Sequence, residues 1–212
     1  MWSIQATVGE LLIIFGGAKF ISNMVGSKGR FIQPKLFKKW GGAPTIQILR
    51  HQDNTISKVT KQRYHNCLAS KVNTRFPSEQ DERDNPSHSD DIYQSGVDWL
   101  LEETRNIERF PLVISENIWF GFSRNLFALK KWGIILNLVI LAINCFLIWL
   151  VDIRKNTWSL DYLEALIFKK YFLFIAVPFL FLFIWIFLIR EGWVKNRGNA
   201  YAKALLRSCE MV

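Results

Sequence analysis

Two long stretches in the last third of the chain, residues 133–151 and 171–189, contain no charged residue. A helix needs about 20 apolar residues to cross the hydrocarbon core of a bilayer, which is roughly 30 Å thick. Each stretch is apolar all the way round, whereas a helix on the surface of a soluble protein is apolar on one stripe. The pattern predicts an integral membrane protein with transmembrane helices at 132–151 and 171–190. A short external connection at 152–170 would join them.

The N-terminal segment 2–25 is ambiguous because charged residues interrupt its apolar run. Glu10 and Lys19 would both lie inside a spanning helix, and each would cost about 2.5 to 3.5 kcal/mol near the bilayer centre. Lys19 can reach towards the cytoplasmic surface, and Trp2 suits the opposite interface. The segment therefore predicts either a third transmembrane helix or a helix that lies at the membrane interface.

Residues 26–131 are polar and long enough for a compact domain. Gly26, Gly29 and Pro34 are expected to end the first helix, and the stretch 73–89 has the composition of an exposed loop. Further helices are expected to begin at Thr45, at Asp53 or Thr55, at Ser89 or Asp90 (running to about Ile107), and at Pro111.

The helix from Pro111 is expected to run straight into the first long apolar stretch, with Gly121 or Gly133 as a flexible joint. No segment shows the sustained alternation of a half-buried strand. The sequence therefore predicts an all-α membrane protein with a small helical cytoplasmic domain, a two-helix transmembrane hairpin and an N-terminal third span. A small sheet around residues 45–49 is the alternative.

The net charge of +9 lies to a large extent beside the apolar segments. Basic residues that flank membrane helices favour the cytoplasmic side and anionic headgroups, and this reading disfavours nucleic acid as a partner. It predicts a multi-pass protein of the cell inner membrane. The middle domain and a basic C-terminal tail, 191–212, would be cytoplasmic.

Asn137 and Asn144 are seven residues apart, so they share one face of the first long apolar helix. An amide in hydrocarbon needs a polar partner, and the second apolar stretch offers no polar side chain. We therefore expect the partner in a neighbouring subunit or in the N-terminal segment near Glu10. These three residues form a predicted polar seam, which either holds helices together or lines a path for water or ions in a homo-oligomer.

The sequence contains no pattern that assembles a catalytic or metal site. His51, His65 and His88 lack the spacing and companions of a metal set, and no nucleophile or phosphate-binding motif is present. We therefore expect no enzyme activity, no cofactor and no metal. The basic residues of the middle domain form either a solvated face or a site for a small acidic signalling ligand: Arg50, Lys58, Lys61 and Arg63.

The stretches 41–65 and 108–134 resemble a family of small bacterial membrane proteins of uncharacterised function. The shared pattern is GG-x-PT, LRH and TK-x-RYH, followed by FPL, EN and GF-x-RNL just before paired membrane helices. The resemblance implies a motif in the cytoplasmic domain but no activity. Its positions are Gly42, Pro44, Thr45, Arg50, His51, Lys61, Arg63, Tyr64, Asn117, Gly121, Arg124 and Asn125.

The architecture is also loosely similar to that of bacterial anti-phage membrane effectors, although a fold-level analogy does not establish function. Two hypotheses follow. In the first, the cytoplasmic domain controls membrane helices that form a pore or depolarise the membrane. In the second, a non-enzymatic anchor or assembly subunit recruits a soluble partner. The expected partners are the lipid bilayer, further copies of the chain, and a cytoplasmic protein or a small signalling ligand.

Overall fold

The computed structural model describes residues 4–151, 154 and 171–212, with side chains from Ala18 onwards. Every regular element among these residues is helical, so the predicted all-α class is confirmed. The alternative of a small sheet at 45–49 is wrong, because these residues form a helix. The connection predicted at 152–170 lies outside the described residues, Arg154 excepted.

In chain order the described helices are α1 (Ile4–Trp40), α2 (Pro44–Leu49), α3 (Lys58–Val72), α4 (Glu79–Asp84), α5 (Pro86–Glu103), α6 (Pro111–Val151), α7 (Phe172–Phe183) and α8 (Glu191–Arg207). A π-helical turn, Ile184–Leu188, follows α7, and a 3₁₀ turn, Ser208–Glu210, follows α8. The chain divides into two compact units. Unit 1 comprises Met1–Asn125 and Gly192–Val212, and unit 2 comprises Leu126–Glu191.

Three helices of unit 1, α3, α4 and α5, begin where short polar side chains cap them. Ser57 accepts a hydrogen bond from the Thr60 amide, which starts α3 later than the predicted Asp53 or Thr55. Such a side-chain oxygen satisfies one of the amides that the first helical turn leaves unpaired. Local capping therefore overrides the hydrophobic pattern as the signal for where this helix begins.

The stretch predicted as an exposed loop, 73–89, contains a complete short helix and the start of the next. Ser78 and Asp81 form a reciprocal capping box that starts α4. Asn85 then caps α5, which has Pro86 in its first turn and therefore starts before the predicted Ser89 or Asp90. The Ser, Asn and Pro residues that are typical of a loop here stand at the starts of two consecutive helices.

The predicted break near Gly26, Gly29 and Pro34 is wrong, because α1 continues through all three. Pro34 is exposed, so water can bond the carbonyl that its missing amide leaves free. Gly29, by contrast, is buried. A Cβ at this position would overlap the side chain of Asn125 on α6. The glycine therefore allows two helices of unit 1 to approach closely.

The hydrophobic core of unit 1 joins residues from both ends of its sequence. Tyr93, Val97 and Leu100 form one buried stripe on α5. From the segment predicted as a basic cytoplasmic tail, Val194 and Leu205 on α8 are fully buried in unit 1. That segment is a core helix with Lys203 and Arg207 exposed on its outer side, and its mixed composition conceals the apolar stripe.

Unit 2 exposes most of its large apolar side chains. α6 is confirmed as one helix that starts at Pro111 and continues through the predicted joints at Gly121 and Gly133. By length and composition, α6 is the one helix among the described residues that could cross a membrane on its own. The apolar window of α6 has a mean hydropathy of 2.7, and only 11% of this window is buried. Phe172–Leu188 taken together with Glu191–Glu210 gives a second candidate if the bent pair is one span. α1 is not among these candidates, so the predicted third span gains no support.

Replacing Leu205 with Ala tests whether α8 is part of the core. We expect unfolding of the full chain in mild detergent to become easier by about 2 to 5 kcal/mol, because a fully buried leucine leaves a cavity. Lys203→Ala, two residues earlier and exposed, should change stability little. Equal effects of the two substitutions in a urea titration would show that residues 191–212 are a loosely attached tail.

Candidate functional site

A backbone carbonyl on α7 accepts the hydrogen bond of the Asn144 side chain. Asn144 Nδ2 lies 2.7 Å from the carbonyl oxygen of Phe174. Phe174 is four residues before Pro178, which has no amide hydrogen to donate to it. A proline inside a helix leaves the carbonyl at this position without its usual donor. Asn144 therefore supplies the hydrogen bond that Pro178 removes from its own helix.

Asn137 finds its acceptor on its own helix, where Nδ2 donates to the carbonyl oxygen of Gly133 at 2.8 Å. Both asparagine amides thus donate within unit 2. The expectation that they need a neighbouring subunit or the N-terminal segment is corrected, because backbone carbonyls serve where polar side chains are absent. The side chain of Glu10, the third residue of the predicted seam, lies outside the described residues.

Further contacts set the register of the two apolar helices in unit 2. Gly133 faces the ring of Trp185, which a Cβ at position 133 would overlap. Lys130 Nζ donates to the carbonyl oxygens of Ile186 at 3.1 Å and Ile189 at 2.8 Å. As the residue number on α6 rises from Lys130 to Asn144, the residue number of its partner falls from Ile189 to Phe174. This order is that of an antiparallel hairpin. Lys130 also satisfies carbonyls where that helix ends.

In unit 1 a group of polar side chains surrounds the end of α2. We call it the α2 network; its members are Arg50, His51, Lys61, His65, Glu82, Asp90 and Tyr93. Arg50 makes two hydrogen bonds to the Asp90 carboxylate, of 2.9 and 2.5 Å, and a third to the carbonyl of Gly41 at 2.8 Å. Asp90 raises the pKa of Arg50 through these bonds. Gly42, at φ +135°, lies against the same guanidinium.

Lys61 lies in the same network with only 3% of its surface exposed. Its Nζ donates to the carbonyl of Arg50, and to that of Asp53 at 2.5 Å. The ammonium therefore closes the turn that follows α2, and burial lowers its pKa. Arg63 pairs with Glu210 at 2.8 Å on the surface. The sequence suggests that the basic cluster could bind an acidic ligand. Within this cluster Lys58 is exposed and makes none of the contacts described for Arg50, Lys61 and Arg63. The cluster is therefore not an open basic face.

The two histidines of the network are structural donors. His65 Nε2 bonds the carbonyl of Leu49 at 2.7 Å, and His51 Nε2 bonds that of Pro77 at 2.9 Å. Because a carbonyl only accepts, each of these nitrogens carries the hydrogen. Glu82 accepts from the His51 amide at 2.9 Å and from the Tyr93 hydroxyl at 2.8 Å. Among the described residues no group of His, Cys, Asp or Glu could hold a metal ion.

The sequence does not predict that Glu82, Asp90 and Tyr93 belong to a polar network. Glu82 lies in the stretch taken for an exposed loop, and the loop assignment hid it. For Asp90 the sequence predicts only a possible helix start. A buried tyrosine needs a partner for its hydroxyl, but the sequence does not show that Glu82 supplies it.

The remaining motif positions other than Gly121 fall into three places within unit 1. Pro44, Thr45, Asn117 and Arg124 line one cavity, which brings the two motif stretches together. Tyr64 is buried in the core, and Asn125 lies against Gly29. Gly121 has no close neighbour that would exclude a Cβ, since Arg124 Nη2 is 4.0 Å away. Nothing in the structure explains a need for glycine at position 121.

Comparison with protein-family models, with curated proteins and with solved structures gives no match for this chain. The class that the structure defines is therefore architectural. Among the described residues it is an all-helical protein in which unit 1 has a buried core and unit 2 exposes most of its large apolar side chains.

The pH dependence of stability tests the environment of His65. Burial lowers the pKa of His65 to about 4, against about 6.5 for an unperturbed histidine. Between these values the unfolded chain binds a proton that the folded chain does not, so the folded state loses stability as the pH falls. The loss reaches about 3 kcal/mol at pH 4.

His65→Gln keeps a donor for the Leu49 carbonyl but does not titrate. We expect this variant to lose about 3 kcal/mol less than the wild type between pH 7 and pH 4, measured by urea unfolding. His88→Gln, at an exposed position of α5, is the matched control and should follow the wild-type profile. A His65→Gln profile parallel to the wild type would contradict this assignment.

Proposed function

We propose that the chain is a multi-pass protein of the bacterial inner membrane, in which unit 2 anchors unit 1 at the cytoplasmic face. The observation that carries the proposal is the exposed apolar surface of α6 and α7, of which Leu136, Phe146 and Leu173 are examples. Soluble monomers rarely expose contiguous apolar patches larger than a few hundred Å². Contact of such a surface with the hydrocarbon of a bilayer is favourable, whereas its contact with water is unfavourable.

The division of the chain supports this topology. Asn125, before unit 2, and Gly192, after it, both belong to unit 1. A segment that leaves one folded unit and returns to it begins and ends on the same side of a membrane. The basic residues beside both apolar stretches support the cytoplasm as that side. The N-terminal part of α1 would then lie along the interface or cross the membrane on its own.

The proposed role is that of a non-enzymatic anchor that holds a recognition domain at the membrane. Support comes from the asparagines, whose amides are engaged inside unit 2 and act as contacts between or within helices. A polar seam that lined a pore would instead present its amides to water. Unit 1 would provide the surface for a soluble partner, and homo-oligomers would form through other faces of the hairpin.

Membrane extraction tests the anchoring directly. We expect the full chain to stay in the membrane pellet after washing with alkaline carbonate and to need detergent for purification, because exposed apolar surface prefers lipid. A reporter fused after Val212 should be active in the cytoplasm. A chain that is soluble and monodisperse without detergent, or a periplasmic reporter at Val212, would overturn the proposal.

A double-mutant cycle tests whether Asn144 acts through the carbonyl that Pro178 frees. Asn144→Leu should destabilise the full chain in detergent by about 0.6 to 2 kcal/mol, as measured for hydrogen bonds between membrane helices. In a Pro178→Ala background the amide of residue 178 can bond the Phe174 carbonyl again. The same Asn144→Leu substitution should therefore cost clearly less there.

Asn137→Leu is the matched control, since Asn137 bonds its own helix and should show no coupling to Pro178→Ala. Additive effects of Asn144→Leu and Pro178→Ala would contradict the assigned contact.

An anchor also tolerates replacement of both asparagines without loss of partner binding in a pull-down.

A membrane-perturbing effector, as in anti-phage defence, is the second candidate. The observation that favours it is α6, a single helix of 41 residues that belongs to both units. A partner or ligand that binds unit 1 would act on the same helix that enters the membrane. Expression under toxic conditions should then depolarise cells in a dye assay, and Asn137→Leu with Asn144→Leu should abolish the effect. An unchanged membrane potential would leave the anchor as the function.

A further inference from the structure

Unit 1 contains a cavity of about 260 Å³ that opens at its surface. Exposed residues of α5 and α6, Gln94 and Asn117, form part of its rim, while Pro44, Phe120 and Leu205 form part of its buried wall. The volume is just below the roughly 300–1,000 Å³ of pockets for drug-sized ligands. An occupant is therefore small, and a nucleotide is too large.

Arg124 is a cation in the wall of this cavity without an anionic partner. Its Nη1 donates to Gln33 Oε1, and its guanidinium lies 5.6 Å from the centre of the Phe120 ring. Its Nε is buried with no hydrogen-bond partner. Within the part of the chain that the structure describes, no carboxylate forms an ion pair with it. Burial and the nearby charge of Arg30 lower the pKa of Arg124.

A half-buried cation of this kind is unfavourable until an anion compensates it. Two other arginines of unit 1 show the contrast: Arg50 is paired with Asp90, and Arg197 with Glu116 at 3.0 Å. The planar guanidinium presents several N–H donors in a fixed arrangement that matches the two oxygens of a carboxylate. Arg124 therefore has both the charge and the free donors to hold such a group.

Besides Arg124 and the polar residues Gln33, Thr45, Gln94 and Asn117, the lining is aromatic and apolar. Phe37 and Phe120 are stacked with ring centres 6.3 Å apart, and Phe120 and Tyr201 are stacked at 6.2 Å. All three line the cavity. Flat rings next to a cation suit a ligand with a charged end and an apolar body. Arg124 is the charged residue among those that line the cavity, and Arg30 is not one of them. One guanidinium in the lining balances a single negative charge better than the double charge of a phosphate monoester.

We propose that this cavity binds a small organic anion, in which one carboxylate pairs with Arg124 and an aromatic or short aliphatic body lies against Phe37, Phe120 and Tyr201. The site adds ligand recognition to the anchoring role of the protein. It does not depend on that role, because every residue of the site lies in unit 1.

Titration of the purified full chain in a non-ionic detergent tests the proposal. The probes are benzoate, 3-phenylpropionate and hexanoate, with their neutral amides and inorganic phosphate as comparisons. At least one carboxylate should raise the thermal unfolding midpoint and show saturable binding by calorimetry, because a ligand that binds only the folded state stabilises it. Its amide and phosphate should bind far more weakly.

The variants separate the charge of Arg124 from its shape. Arg124→Gln should weaken carboxylate binding about 10- to 100-fold, in line with the loss of a charge-assisted hydrogen bond. Arg124→Lys keeps the charge without the planar donors and should fall between Arg124→Gln and the wild type. Arg83→Gln removes an exposed arginine and should change nothing.

Three results would overturn the proposal. The first is that none of the three carboxylates binds the wild type. The second is that an amide or inorganic phosphate binds as tightly as the best carboxylate. The third is that Arg124→Gln, verified as folded by circular dichroism, keeps wild-type affinity. The comparison of acid and amide on the wild type needs no variant, so a misfolded Arg124→Gln would not leave the question open. Anchoring is measured separately by membrane extraction.

Discussion

A proline inside an apolar helix leaves one backbone carbonyl of that helix without a hydrogen-bond donor. The pairing of the two helices of unit 2 depends on a donor from the other helix. Pro178 leaves the Phe174 carbonyl without its helical amide, and Asn144 supplies a donor at 2.7 Å. In a bilayer no water would be at hand to do so. The pair therefore links a backbone feature of one helix to a side chain of another. With Gly133 against Trp185, it fixes how the two helices pair along their length.

The same demand shapes unit 1, where the donors are basic side chains. Lys61 and His65 both donate to carbonyls near the end of α2, and Arg50 reaches the carbonyl of Gly41. Carbonyls at helix ends have no partner within their helix, and the short α2 has few alternatives. Arg50 and Lys61, two members of the basic cluster that could bind an acidic ligand according to the sequence, are thus engaged in holding the fold. Arg124 is different, because its guanidinium retains free donors beside a cavity.

The sequence predicts those features that depend on local pattern. The helical class and the continuity of α6 from Pro111 into the apolar stretch follow from periodicity and from the length of the uncharged run. The errors arise where distant contacts decide. Pro34 does not end α1, Leu205 is buried in a segment that reads as a basic tail, and Asn144 bonds a backbone carbonyl. The cavity beside Arg124 joins residues from both ends of the chain, which no local pattern reveals.

The central claim is that the exposed apolar surface of α6 lies in hydrocarbon, and Cys145 offers a direct measurement of it. Cys145 is exposed on α6 inside the uncharged stretch, whereas Cys67 is half-buried and Cys209 buried. A spin label at Cys145, with the other two cysteines replaced by Ala, can be measured in phospholipid bilayers. We expect strong relaxation by oxygen, which concentrates in lipid, and little by a water-soluble nickel chelate. Strong relaxation by the nickel chelate would contradict it.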